Sequence, residues 1–168
     1  MIVVTVGTQL PFDRLIKMVD ELAPSIPVKI FAQTGRGTYV PRNIEWSATI
    51  PAGEFDGLLR QASVIMAHAG IGTVLKAYKY RKPIILVPRQ ASFGEHRNDH
   101  QLATVSKLQH RAGIYVARSA EELSSLLNKE LMPAIAGDSA SQGRQRLQDF
   151  IRGAIREATG EQLERSYE

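Results

Sequence analysis

Apolar and polar positions alternate along this chain between two periods. The runs "IVVTV" (Ile2–Val6), "VKIFAQT" (Val28–Thr34), "SVIMAHAG" (Ser63–Gly70) and "KPIILVP" (Lys82–Pro88) are short, β-branched and largely apolar. That is the pattern of strands buried on both faces of a parallel sheet. "FDRLIKMVDEL" instead sets Phe12, Leu15, Ile16, Val19 and Leu22 on one helical face. "NIEWSAT" and "EFDGLLRQA" predict a strand and a short helix, and "IGTVLKAYKY" predicts a helix starting near Gly72. "EHRNDHQLATVSKLQ" is expected to turn helical after its polar start, and "GIYVA" forms a last short strand. In "SAEELSSLLNKEL" a serine precedes a glutamate by three residues, the signature of a capping box. From Gln142 to about Ala158 the pattern predicts an arginine-rich amphipathic helix with Leu147, Phe150, Ile151 and Ile155 on its apolar stripe; residues 159–168 form a polar tail.

Strand and helix in alternation argue for an α/β fold, a doubly wound, Rossmann-like parallel sheet, in a single domain over residues 1–158. Ligands in such folds sit beyond the carboxyl ends of the strands. The loops to inspect are therefore Gly7–Pro11, Thr49–Gly53, His68–Thr73 and Pro88–Gln101. A length of 168 residues with 43% hydrophobic content supports one core and not two. Cysteine is absent, which excludes disulfides, thiolate nucleophiles and Cys-based metal sites and fits a reducing cytoplasm. The first residues carry no basic leader, and no apolar stretch approaches the ~18 residues of a membrane span, so any membrane connection is expected to run through a partner. A net charge of +4 favours anionic ligands, but Lys and Arg are scattered and aromatics make up only 7%, so no nucleic-acid partner is expected.

Three clusters could carry chemistry. In "VGTQ" (Val6–Gln9), Gly7 allows close backbone approach and Thr8 offers a hydroxyl; an ordinary turn with Thr8 as a helix cap explains the same residues. In "HAGIGT", Gly70 and Gly72 fall where a strand becomes a helix, so free N–H groups and the helix dipole converge on one spot suited to a diphosphate, with Thr73 as a further donor. Tight packing at the turn is the alternative, and His68 reads as a structural hydrogen-bonder. The motif is neither a full G-x-G-x-x-G nor a P-loop. "FGEHRNDHQ" (Phe93–Gln101) mixes acceptors (Glu95, Asp99), dual-role amides (Asn98, Gln101) and imidazoles (His96, His100), which suits sugar hydroxyls that both donate and accept. A metal on His96 and His100 is not favoured, because the pattern is not H-E-x-x-H. A solvated helix start capped by Asn98 or Asp99 also accounts for the run.

Taken in order, "VGTQ", "HAGIGT", "KPIILVPR" and "GEHRNDHQLAT" resemble the carboxy-terminal, nucleotide-sugar-binding domain of glycosyltransferase family 28, half of a GT-B fold. The resemblance covers nearly the whole chain. It is closest to PssE-type exopolysaccharide subunits and to the catalytic subunit of the two-part dolichol-linked N-acetylglucosaminyltransferase. It implies a UDP-sugar donor, no metal and no other cofactor. Gly7, Thr8, Gly70, Gly72 and Thr73 would meet the diphosphate. His100 and Gln101 would contact the donor sugar, with Glu95, Asn98 and Asp99 nearby. Ile50, Pro51 and Ala52 would lie near uracil. Lys76 stands where relatives carry an acid for the ribose hydroxyls, so ribose recognition is weaker, rearranged or supplied elsewhere.

A complete GT-B enzyme needs two domains, and this length holds one. The resemblance therefore implies a membrane-anchored, PssD-like partner that carries the acceptor site and the catalytic base, whose identity the chain leaves unknown. The partner would present a lipid-linked saccharide, and the chain would work at the inner face of the membrane. A hexosyl transfer with inversion follows from the same resemblance. The alternatives are a non-catalytic nucleotide-sugar-binding or regulatory module and, less suited to this length, a UDP-sugar 2-epimerase.

Overall fold

The computed structural model describes residues 1–135; the helix expected at 142–158 and the tail at 159–168 lie outside the described residues. Each apolar run becomes a strand. β1 (Ile2–Thr5), β2 (Ile30–Gln33), β3 (Glu45–Ser47), β4 (Val64–His68), β5 (Ile84–Val87) and β6 (Ile114–Val116) form one parallel six-stranded sheet in the order β3-β2-β1-β4-β5-β6. The helices are α1 (Asp13–Leu22), α2 (Ala52–Gln61), α3 (Ile71–Tyr80), α4 (His100–Leu108) and α5 (Ala120–Leu127).

Side chains along each central strand point alternately to the two faces. Ile2, Val4, Ile30, Met66 and Ile85 pack with Leu15, Ile16 and Val19 of α1 and Leu123 of α5. Val3, Ile65, Ala67 and Leu86 pack with Leu59 of α2, Val74 and Ala77 of α3, and Val105 of α4. Both faces are covered, which is why these strands read as continuous apolar runs. This is a doubly wound, Rossmann-like parallel sheet, as the alternating pattern predicts. Strand order reverses between β1 and β4, which lie side by side with Thr5 opposite Ala67. One leads to α1 and the other to α3, on opposite faces, and the crevice between the departing loops is where such sheets take ligands.

The β2–β3 crossover departs from the alternation, because it holds no helix. Residues 34–44 are tied down by two carboxylates of α1. Asp13 accepts from the Thr38 N–H (3.0 Å) and hydroxyl (2.8 Å). Asp20, only 2% exposed, accepts from the N–H groups of Arg42 (3.0 Å) and Asn43 (2.7 Å) and from the Tyr39 hydroxyl (2.8 Å). Burial pushes the Asp20 carboxyl up, but the bonds from Asn43, Arg42 and Tyr39 outweigh it and hold the pKa below the ordinary value. At α5, Ser119 accepts from the Glu122 N–H (3.3 Å) as expected. The Glu122 carboxylate, however, takes the Arg118 N–H (2.8 Å), one residue earlier than a capping box requires.

Asp20→Ala should lower the unfolding free energy by about 3 kcal/mol, since it strands buried donors. The measurement is the urea midpoint; a loss under about 1 kcal/mol would mean that this carboxylate is not what holds the crossover.

Candidate functional site

The turn after β1 is fixed from below by buried polar groups. The Thr5 hydroxyl donates to Gln33 Oε1 (2.6 Å) and accepts from the Gly7 N–H (3.2 Å). Gln33 Nε2 donates to the Gly7 carbonyl (3.1 Å). Gly7 has φ +78°, a conformation that side-chain-bearing residues rarely adopt. A Cβ there would also stand 2.7 Å from His68 Cε1, and a Cβ at Gly70 would stand 2.3 Å from His68 Nε2. The His68 ring therefore lies between the two glycine backbones. Its Nδ1 is shielded and, among the described residues, meets no hydrogen-bond partner in good geometry. Burial, reinforced by the charges of Arg89 and His96, lowers its pKa to about 4 against the pull of the Thr5 backbone. At neutral pH the ring is uncharged. Thr8 is exposed and does not cap α1, whose first residue is Asp13.

Gly70 is the N-cap of α3, and Thr73 N–H bonds back to its carbonyl (3.2 Å). The Ile71 and Gly72 N–H groups have no backbone acceptor among the described residues. Gly72 is exposed, and a Cβ there would meet nothing within 4 Å. Packing thus explains glycine at 7 and 70, but not at 72. One turn further along, Lys76 is not a free surface lysine. It pairs with Asp56 of α2 (2.6 Å) and lies over the Phe55 ring (5.0 Å). Asp56 also accepts from the Tyr80 hydroxyl (2.8 Å), and the bonds from Lys76 and Tyr80 lower its pKa. Ile50 lines a cavity of about 460 Å³ with Phe31, Thr49, Glu54 and Leu58, while Pro51 and Ala52 start α2 at the surface.

The β5–α4 segment supplies the third wall, irregular apart from a 3-10 turn at Ala91–Phe93. Arg89 is 2% exposed. Its guanidinium donates to the carbonyls of Val6 (2.7 Å), Leu10 (2.8 Å) and Pro11, and Phe12 lies against it at 4.7 Å. Gln101, 5% exposed, uses Oε1 to accept the N–H groups of Ala69 (3.2 Å) and Arg89 (3.0 Å). Its carbonyl therefore ties α4 to the β4 and β5 loops and is not open to a ligand. Glu95 is likewise committed: Arg14 grips both oxygens (2.6 and 2.9 Å), and the Gln90 N–H takes Oε2 (3.0 Å). Asp99 accepts from the Ala91 N–H (2.8 Å).

The exposed groups of this segment include Asn98 and His100. Asn98 Oδ1 takes the Nδ1 hydrogen of His100, and the His96 and His100 rings meet edge-on at 4.4 Å. Burial and then the nearby His96 and Arg97 lower the His100 pKa. The neutral ring so oriented leaves Nε2 as an acceptor, suited to a hydroxyl donor. Among the described residues no group of three or more His, Cys, Asp or Glu side chains could hold a metal ion. Sequence reasoning missed Arg89 and Arg14. The one available signal was an arginine directly after the apolar run "KPIILVP", at the end of a strand buried on both faces.

With backbone donors at one spot and polar side chains along one rim, the arrangement can hold an anion beside a hydroxyl-rich group. A model of the glycosyltransferase family 28 C-terminal domain matches residues 1–152. A search of the curated proteins finds no match. Among solved structures, a glycotransferase of kitacinnamycin superposes with TM-score 0.57 at 17% identity, over 75% of this chain and 33% of its own. The glycosyltransferase SsfS6 of Streptomyces sp. SF2575, complexed with thymidine diphosphate, superposes with TM-score 0.53 at 16% identity, over 87% of this chain and 35% of its own. ALG13, solved by NMR, gives TM-score 0.53 at 18% identity, over 79% of this chain and 87% of its own. These likenesses are of fold, and the chain spans about a third of the first two.

Gln101→Leu should cost about 2 kcal/mol by leaving two buried N–H groups unpaired, read as a lowered urea midpoint. His68 gives a pH signature. An unfolded imidazole binds its proton near 6.5 and the folded one only near 4, so the unfolded state holds more protons between those values. Stability should be full above pH 6.5 and fall toward pH 4, by on the order of 3 kcal/mol. Urea titrations of His68→Asn should show a flatter slope between pH 6.5 and 5; an unchanged slope would assign the loss to other groups.

Proposed function

We infer that this chain, which belongs to the glycosyltransferase family 28 C-terminal domain family, is the donor-binding subunit of a two-component, UDP-sugar-dependent hexosyltransferase. The observation that carries the reading is Gly72. It is an exposed glycine with open space at its Cβ, on the first turn of α3, beside donors that the fold leaves unpaired. A diphosphate needs that gap and those donors.

In this reading the backbone of Gly7, Gly70 and Gly72, with the hydroxyls of Thr8 and Thr73, meets the diphosphate. His100 Nε2, Asn98 and the Gln101 amide nitrogen face sugar hydroxyls. The Ile50–Ala52 stretch borders the base, and the Asp56 carboxylate beside Lys76 stands in for the acid otherwise expected at the ribose. The acceptor hydroxyl attacks the anomeric carbon from the face opposite UDP, the bond to the leaving diphosphate oxygen breaks, and the configuration inverts. Backbone N–H groups at the α3 start stabilise the charge that develops on UDP, without a metal. The acceptor proton goes to a base on a second, membrane-anchored subunit, which presents a polyprenyl-diphosphate-linked saccharide for exopolysaccharide or another surface glycan. Among the described residues no helix is long and apolar enough to cross a membrane.

Calorimetric titration with UDP, UDP-sugars and a dinucleotide tests the reading. The chain should prefer the UDP forms. Gly72→Asp should abolish binding and leave Tm unchanged or slightly raised, because an acid on a first helical turn favours the helix but repels the anion. His100→Ala should weaken UDP-sugars relative to UDP. Preference for the dinucleotide, or UDP binding untouched by Gly72→Asp, would overturn the assignment. Normal glycan output from a strain carrying Gly72→Asp would favour the regulatory-module alternative.

A further inference from the structure

We propose that Arg89 is a positioning residue that also supplies fixed positive charge to the diphosphate seat from behind, without touching the ligand. The proposal rests on the donor-site reading and deepens it. The guanidinium gathers carbonyls from both ends of the loop that contains Gly7 and Thr8: Val6 at its start, Leu10 and Pro11 at its end. Its backbone N–H shares Gln101 Oε1 with the Ala69 N–H, which brings in the β4 turn. One residue thus spaces the three loops of the site, and a planar fork with several donors suits that task better than a single ammonium.

The charge is the second half of the argument. Among the described residues no carboxylate bonds to the Arg89 guanidinium; its anionic neighbour Glu95 is gripped on both oxygens by Arg14. Two cations against one carboxylate leave an excess of one positive charge in a largely buried cluster. That excess reaches the seat. His68 lies between the Gly7 and Gly70 backbones, and Arg89 is the foremost charge disfavouring protonation of its ring. A field that opposes a cation there favours an anion, and low exposure limits screening by salt.

NMR titration of the full chain with uridine, UMP and UDP separates charge from shape. Arg89→Gln should weaken UDP about tenfold and uridine less than about twofold, with UMP between. Arg89→Lys keeps the charge and should hold the UDP-to-uridine affinity ratio within about threefold of the original, at a lower Tm. Equal losses for all three ligands in a folded Arg89→Gln protein would overturn the charge role and leave plain scaffolding. A collapsed ratio in Arg89→Lys would do the same, and it decides the matter alone if Arg89→Gln does not fold. If the unaltered chain binds uridine and UDP equally, the donor-site reading falls and this proposal with it. If it prefers UDP and Arg89→Gln does not change that preference, only this proposal falls.

Discussion

A buried guanidinium whose direct partners are carbonyl oxygens sets the geometry of the carboxyl edge. Taking a charge out of water is costly unless acceptors gather around it. Arg89 meets that condition only if the β1–α1 loop folds back so that Val6, Leu10 and Pro11 turn their carbonyls to one point. The loop conformation and the burial of the charge are therefore one event. Gln101 extends the constraint, since its single carbonyl oxygen serves both the β4 and β5 loops. The crevice at the strand-order reversal is thus a fixed shape, although its walls come from segments far apart in sequence.

His68 completes that shape chiefly by size. Its ring occupies the volume that side chains at Gly7 and Gly70 would otherwise claim, and each backbone approaches it as only glycine can. Because the ring is neutral at pH 7 it adds no charge of its own to the seat. What faces outward is backbone: the end of the β1 turn and the first N–H groups of α3. Several side chains that look ligand-directed in the sequence, Glu95, Lys76 and the carbonyl of Gln101, are paired within the protein, with Arg14, Asp56 and two peptide N–H groups.

The strands and the faces of α1 were legible because burial on both sides of a sheet forces continuous apolar runs, and burial on one side of a helix forces a stripe. The glycine turns were legible as places of close approach. Which glycine answers to packing and which to open space was not, since that depends on His68 standing between two of them. The Arg14–Glu95 pair spans 81 positions and Arg89 to Val6 spans 83, so no local pattern marks either. The sequence offers no helix between "VKIFAQT" and "NIEWSAT", and none forms; what it hides is how that crossover is held. Asp13 and Asp20 look like surface acids of an amphipathic helix until residues 38–43 are folded over them.

In the proposed reading, a seat made of backbone and buried charge recognises a diphosphate and is indifferent to what the diphosphate carries. Discrimination among sugars, in the proposed reading, has to come from the rim, where Thr8, Asn98 and His100 stay exposed. There the chemistry is directional. Asn98 fixes the Nδ1 hydrogen of His100, and the neighbouring His96 and Arg97 disfavour a second proton, so Nε2 stays an acceptor. In that reading, an acceptor at that position suits a hydroxyl donor. The positive field behind the seat acts on charge alone and falls off with distance from Arg89. In that reading the two tasks are separate: backbone and a buried guanidinium hold the anion, and exposed side chains read the sugar.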